Sequence, residues 1–484
     1  MTTNLSQRLT LPGFQIKFPP YTFFVLGGVL ATLFFSYTLL SIYYTPPSSD
    51  YISTHAGIFN SDLSQVTLLF LLMIGIYIVC YIFFRSTNVQ PIQMRKVVLF
   101  SLLFAIILLL SPPFLSSDLY GYVFRAEIAN VHDVNPYKVT PAELGYSGIV
   151  TYAEGVTPYG PVYTVYSMLL QKISGSELAA KLTIFRLFNL ILFFACAWLL
   201  YRIAKIIIPS YANSSVTLFL WNPFILIELI NNGHNDVLIL LSILLSIFLL
   251  LQNKYITAGA VLVLGFLVKF VTIFLIPLSF LWILHSKQGV KKKAYLLVGL
   301  IFAIVAIIAV MYIPFDNFSE NIGNLGVIYL LSYKLTFPFA IIKSVIILLG
   351  NYLVGFSFTA GLLLNISLGI FVVLYLVTLF YSRRAFKRLL IYRYFWIILL
   401  VLTFIPLINN IWYTIWFMPL VLLISDKRYH ILIIFFTISG FAFYVSNFFL
   451  ANSLFFILLI SYYLLLKIRP IAEKYWSSLT LFKI

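Results

Sequence analysis

Apolar runs of membrane-crossing length follow one another along almost the whole chain, separated by short polar breaks. The first, Tyr21 to Tyr43, contains no charged residue at all. Buried in a bilayer, such a run must satisfy its own backbone, so the expected element is a helix, and a series of them an all-helical bundle. Composition supports this reading. Of 484 residues, 62% are apolar and only 9% charged, where a soluble domain carries about a quarter charged residues. The Tyr21–Tyr43 run exceeds a signal-peptide core and lacks a small-residue cleavage site after it, so it reads as a first span. The whole pattern predicts an all-α polytopic membrane protein with about 12–14 transmembrane helices. Several runs are short, roughly 13–16 residues against the ~20 that cross alone, and read as half-helices or re-entrant pieces inside the bundle.

The net charge of +17 is oriented in a way that speaks against nucleic acid. With the N-terminus inside, only Arg125, Lys138, Lys172, Lys181, Arg186, Lys269, Lys334 and Lys343 fall outside, and every other Lys and Arg is cytoplasmic. That asymmetry orients the protein in a cell membrane with both termini cytoplasmic, and favours contact with anionic membrane lipids. Of the 14 acidic residues, only Asp426 and Glu473 are then cytoplasmic. Asp and Glu contribute little to orientation, so their outward bias points to extracytoplasmic chemistry. The expected organisation is a cytoplasmic tail with two accessory helices over 1–96, a catalytic membrane module over 97–314 with a long outer loop at 116–180, and a C-terminal module over 315–484 with a further outer loop at 316–358. Cys80 and Cys196 both lie inside apolar runs, which excludes a disulfide framework.

Within the outer loop, Asp118 sits within about one helical turn of an apolar run, where an ionised carboxylate is costly unless paired or functional. It reads either as part of a helix cap with Ser116 and Ser117 or as a catalytic carboxylate. Tyr120, Phe124 and Ile128 follow at helical spacing and predict an amphipathic helix at the interface, ended by the turn Asn135-Pro136-Tyr137. A second polar knot, Asn231 to Asp236, separates two apolar spans. Its Asn-Asn-Gly is turn chemistry, but His234, Asn235 and Asp236 exceed what a turn needs, although Asp236 could cap the next helix. One His among scattered carboxylates is not the spacing of a zinc site. Asp118, Asp236 and Glu127 could offer oxygens to a divalent ion, but nothing in their spacing requires a metal or other cofactor. Lys269 is a cation inside an apolar run, either snorkelling to the surface or clamping an anion. Trp412, Tyr413 and Trp416 fit an aromatic belt.

Taken in order, these residues resemble the GT-C glycosyltransferases, and among them the polyprenol-phosphate-mannose-dependent α-(1→6)-mannosyltransferases. The resemblance rests on Asp118-Leu119-Tyr120-Gly121-Tyr122, Asn135-Pro136-Tyr137, Tyr159-Gly160-Pro161, Arg186, Trp221-Asn222-Pro223 with Gly233-His234-Asn235-Asp236, Val268-Lys269, and Trp412-Tyr413 with Trp416. It departs at Phe270 and Ile411, where the family commonly has proline. It implies transfer of a hexose, mannose first, from a polyprenyl-phosphate donor to an extracytoplasmic glycan or glycolipid acceptor by single inverting displacement. Asp118 would be the base. Arg186, Lys269, His234 and Lys181 would face the donor phosphate, and Tyr120, Tyr137, Tyr159, Asn235, Asp236, Trp412 and Tyr413 the sugar or acceptor. The competing class is a transporter or flippase of a lipid-linked or anionic substrate, which would show internal repeats and mid-bilayer polar groups. The chain has no evident repeat, and its polar residues gather at one face.

Overall fold

The structure, a computed structural model, describes residues 18–19, 21–44, 64–86, 91–147, 153–315, 360–380, 389–404 and 411–445. The expected outer loop at 316–358 lies outside them. Among the described residues the chain is helical and forms no strand. The helices, numbered in order, are α1 (Thr22–Tyr44), α2 (Ser64–Ser86), α3 (Pro91–Leu109), α4 (Asp118–Asn130), α5 (Pro161–Ile173), α6 (Leu178–Ile207), α7 (Ala212–Leu220), α8 (Pro223–Leu226), α9 (Asp236–Leu251), α10 (Tyr255–Phe266), α11 (Ile276–Leu284), α12 (Val290–Tyr312), α13 (Ala360–Phe380), α14 (Leu390–Phe404), α15 (Met418–Leu423) and α16 (Leu432–Val445). A π-turn, Ile227–Asn231, extends α8, and 3₁₀ turns at Phe270–Leu275 and Ile411–Trp416 precede α11 and α15.

Four of these are long and apolar enough to cross a membrane alone, namely α1, the Ser64–Arg85 stretch, α6 and α12. Several others are apolar but shorter, as the short runs in the sequence led us to expect. The apolar run over 212–230, long enough by itself for one span, is broken, with its two halves bent by 52°. The cause is local. Asn222 accepts from Ile225 N (3.0 Å) as an N-cap, and Pro223 takes the first helical position, where its missing N–H costs nothing. Trp221, beside the break, is enclosed by Phe23, Phe84, Phe100 and Phe104 and donates from its indole to Val97 O (3.2 Å). These rings pin the bend to α1, α2 and α3.

The second difference concerns α4. Every residue from Leu119 to Ile128 is buried, so this helix does not lie at an interface with one face wet. It is enclosed by α5 and α6. A continuous buried apolar cluster runs from Phe23 to Tyr444. On its outside, α12 keeps only 6% of its span buried and presents Tyr295, Phe302 and Val305 outward, as lipid-facing residues would be.

Candidate active site

Asp118 opens α4. Its acidic side chain suits the positive end of that helix dipole, yet it does not cap the helix: Ser117 is the N-cap residue, and Ser116 Oγ accepts from Asp118 N (3.2 Å). The carboxylate turns instead to the polar knot. His234 Nδ1 lies 3.5 Å from Asp118 Oδ2, and the Tyr122 hydroxyl reaches the same oxygen at 3.5 Å. Both contacts fall on Oδ2, which leaves Oδ1 for an incoming group. The His234 side chain is wholly buried, whereas that of Asp118 keeps 27% of its surface exposed. Burial pulls the Asp118 carboxyl up, but the His234 contact and the charges of His234, Lys269 and Arg125 outweigh it and hold the group below the ordinary carboxylate range.

His234 has a second carboxylate. Its Nε2 lies 3.0 Å from Glu228 Oε2, and its ring stacks on Trp412 with centroids 4.6 Å apart and planes 19° off parallel. Burial pushes the imidazole pKa down, but Asp118 and Glu228 together raise it to about 9. With a carboxylate at each nitrogen, the ring carries both protons. Asp236, the first residue of α9, holds a third charge pair. Lys269 Nζ donates to both its oxygens at 3.0 Å, and the Trp416 indole donates to Oδ1 at 2.7 Å. Lys269 also lies 4.7 Å from the Tyr413 ring centroid, and Tyr413 stacks on Trp416. Neither simple sequence reading of Lys269 describes this arrangement, since the ammonium points inward onto a buried carboxylate.

The backbone around these groups is fixed by the other motif residues. Asn231 Nδ2 donates to Leu108 O, Ser111 Oγ and Pro112 O, while its Oδ1 accepts from Tyr37 OH and Phe114 N. Asn232 accepts from Leu115 N and donates to Glu228 Oε2. The asparagines thus latch the segment that leads into Asp118, which is more than turn formation. Gly233 has a left-handed φ of 70°, and a Cβ there would meet Leu119 at 2.9 Å. Arg186 donates to Ser111 O (2.5 Å) and Leu182 O, and no carboxylate lies within ion-pair distance among the described residues. Tyr120 is buried nearby and interacts with it electrostatically.

Tyr159-Gly160-Pro161 docks onto the break after α10. Gly160 N donates to Val268 O (3.2 Å) and Val162 N to Leu267 O (3.0 Å). This sets Tyr159 against Tyr122 and 6.0 Å from Lys269 Nζ. Tyr137 braces that loop from behind, its hydroxyl donating to Tyr159 O and paired with Thr164 Oγ1. Lys181 stands apart. It pairs with Glu127 at 2.5 Å, nine residues beyond Asp118 and so roughly 13 Å along α4.

The structure therefore brings Asp118, Tyr159, His234, Asn235, Asp236, Lys269, Trp412 and Tyr413 around one cluster, with Arg186 and Tyr120 beside the knot. Besides the His234 ring nitrogens, which meet their carboxylates at ion-pair distance but outside hydrogen-bond alignment, two members carry buried polar atoms with no hydrogen-bond partner among the described residues: both amide atoms of Asn235 and the indole nitrogen of Trp412. Unpaired buried polar groups are costly, which makes these atoms natural ligand contacts. Among the described residues no group of three or more His, Cys, Asp or Glu is arranged to hold a metal ion. Glu228 escaped sequence reading because it lies in the apolar stretch Ile225–Ile230. A lone acid inside such a stretch was the available signal, by the same argument that singled out Lys269.

Known proteins resemble the chain. It is 29% identical to an alpha-(1→6)-mannopyranosyltransferase of Mycobacterium tuberculosis over 140 residues, 28% of this chain and 23% of that protein. It is 30% identical over 150 residues to a probable alpha-(1→6)-mannopyranosyltransferase of Mycolicibacterium smegmatis, 29% of this chain and 26% of that protein. Alpha-(1→6)-mannopyranosyltransferase A of M. tuberculosis is 24% identical over 327 residues, 64% of this chain and 61% of that protein. The chain thus matches less than two thirds of the length of each of these relatives. The cluster built above, apart from Trp412, Tyr413 and Trp416, falls within residues 25–285, which match the family described as alpha-(1→6)-mannopyranosyltransferase, N-terminal domain, and the chain belongs to that family.

Proposed function

We propose that the protein transfers mannose from a polyprenyl-phosphate donor to a hydroxyl of an extracytoplasmic glycan or glycolipid, with inversion at the anomeric carbon. The observation that carries this reading is the Asp118 carboxylate, ionised, partly exposed and held at Oδ2 by a buried cationic imidazole. A sugar hydroxyl is far too weak an acid to attack unaided, so a base must take its proton in the transition state. Asp118 Oδ1 takes that proton as the acceptor oxygen bonds to C1 and the C1–O bond to the phosphate breaks. The electron pair leaves with the polyprenyl phosphate, whose growing charge calls for fixed cations.

Arg186, buried beside the knot with no carboxylate at ion-pair distance among the described residues, is the first choice for that phosphate. Lys269 and His234 add a positive field already balanced by Asp236, Glu228 and Asp118. Asn235 and the Trp412 indole meet sugar hydroxyls, and Tyr159 and Tyr413 pack against the ring. Lys181 and Tyr137 support the scaffold in this reading. The module over 97–314 carries the chemistry, facing outward from the cell membrane, with both termini cytoplasmic.

The test is transfer from radiolabelled polyprenyl-phosphate mannose by the purified full-length protein, comparing wild type with Asp118→Asn. The variant keeps donor binding and loses transfer by about 10²–10⁴-fold. Retention of most of the wild-type rate removes Asp118 as base. Failure of the wild type with every lipid-linked sugar offered overturns the transferase reading and favours a transporter.

A further inference from the structure

We infer that Glu228 is a positioning residue that keeps His234 a cation throughout turnover, an inference that rests on the transferase reading for its purpose but not for its test. Glu228 is fully buried on the π-turn and meets the His234 ring at Nε2, the nitrogen opposite the one that faces the partly exposed Asp118. It acts through the imidazole alone. His234 Nε2 lies 3.0 Å from Glu228 Oε2, while Nδ1 lies 3.5 Å from Asp118 Oδ2. The shorter contact is therefore with the carboxylate that faces no substrate. Glu228 is itself oriented by Asn232 Nδ2 at 3.0 Å on that same oxygen, and His234 N donates to Glu228 O (3.1 Å), which locks the ring's backbone to its partner.

The need for such a residue follows from the proposed chemistry. When Asp118 takes the acceptor proton it becomes neutral, and its hold on the imidazolium disappears at the moment when negative charge appears on the leaving phosphate. A histidine with Asp118 as its single acidic partner would then be free to give up its proton. Glu228 takes no part in that step, keeps its place at Nε2 and retains the positive charge. The remaining surroundings do not substitute for it. From α4, Arg125 and Tyr122 face Asp118; Arg186 of α6 underlies Gly233; and Trp412 offers a ring face. Lys269 is tied to Asp236, and Tyr444 of α16 adjoins Glu228 with a neutral hydroxyl. Glu228 is thus the one carboxylate besides Asp118 at the ring among the described residues.

The chain has five histidines, so imidazole nitrogen NMR on ¹⁵N-histidine-labelled full-length protein in detergent can follow each ring between pH 6 and 10, with His234→Asn assigning the signal. The expected result is a His234 signal that stays doubly protonated at pH 8 in wild type and also in Asp118→Asn. In Glu228→Gln its midpoint falls by about one pH unit or more, and the alkaline limb of transfer activity moves down with it while the rate at pH 6 is kept to within a few-fold. An unchanged midpoint in Glu228→Gln overturns the inference, as does loss of the proton at pH 8 in Asp118→Asn. The Asp118 variant decides the matter even if Glu228→Gln does not fold. A shifted midpoint in a protein that transfers nothing keeps this inference and overturns the transferase reading; transfer with an unshifted midpoint does the reverse.

Discussion

Lys269 and the wholly buried Asp236 form an ion pair whose removal is informative in two steps. Lys269→Met leaves a carboxylate wholly buried with the Trp416 indole as its remaining donor among the described residues. An uncompensated buried charge costs about 3–5 kcal/mol, so the unfolding midpoint in detergent should fall markedly. Adding Asp236→Asn removes the stranded charge, and the double variant should recover much of the loss. A single variant that unfolds with the wild type would mean that water already reaches the carboxylate. The sequence disclosed both residues through their positions, one cation and one acid amid apolar neighbours. It could not disclose that they pair, because 33 residues separate them and nothing local records which charges meet. Glu228 was hidden for a related reason: amid Ile225, Leu226, Ile227, Leu229 and Ile230 it reads as part of a span, and its role depends on a histidine brought round by the turn.

At the scale of elements, the docking of residues 160–162 on 267–268 joins two segments far apart in sequence through main-chain hydrogen bonds. A Cβ at Gly160 would fall on the Leu267 carbonyl, so backbone must move to admit one. Gly160→Ala should therefore lower the unfolding midpoint by an amount equivalent to roughly 1–3 kcal/mol and reduce transfer, since Tyr159 and Lys269 flank the contact. Gly28→Ala, where an added Cβ meets nothing within 4 Å, is the matched control and should change neither. The long apolar helices were legible from run length, whereas α5 lies in the stretch read as an outer loop and was not. The break at Trp221-Asn222-Pro223 was readable in principle from its cap and proline, but run length outweighed it. The burial of α4 on every face was not readable, because its spacing of Tyr120, Phe124 and Ile128 shows one apolar face and says nothing of what covers the other.

For the molecule as a whole, the charges gathered at the 231–236 knot link folding to pH. His234 has an ordinary pKa near 6.5 when unfolded and about 9 in the fold. A raised value stabilises the fold fully below about pH 6.5, and that contribution disappears as the pH rises through about 9. The thermal midpoint of the wild type in detergent should therefore fall between pH 7 and pH 10, and His234→Asn should flatten that descent. An equal slope in both proteins would assign the alkaline loss to other groups. The class of protein, a helical membrane bundle, was legible because the bilayer imposes it on composition. Which of those residues share a cluster was not, since that depends on how short helices are stacked.

The π-turn at Ile227–Asn231 makes this arrangement a matter of phase. Asn232 N reaches back five residues to Ile227 O and His234 N six to Glu228 O, where an α-helix would reach back four. Each residue in a helix turns the chain by about 100°, so the wide turn sets the azimuth of everything after it. A chain one residue shorter here would keep its apolar content and its reach across the membrane. Its Asn231 would point away from the 108–114 carbonyls, and Glu228 and His234 would leave their common side. Residue identity along this stretch is therefore only half of the specification; the other half is an odd step in the winding, which no substitution can remove and a single deletion can.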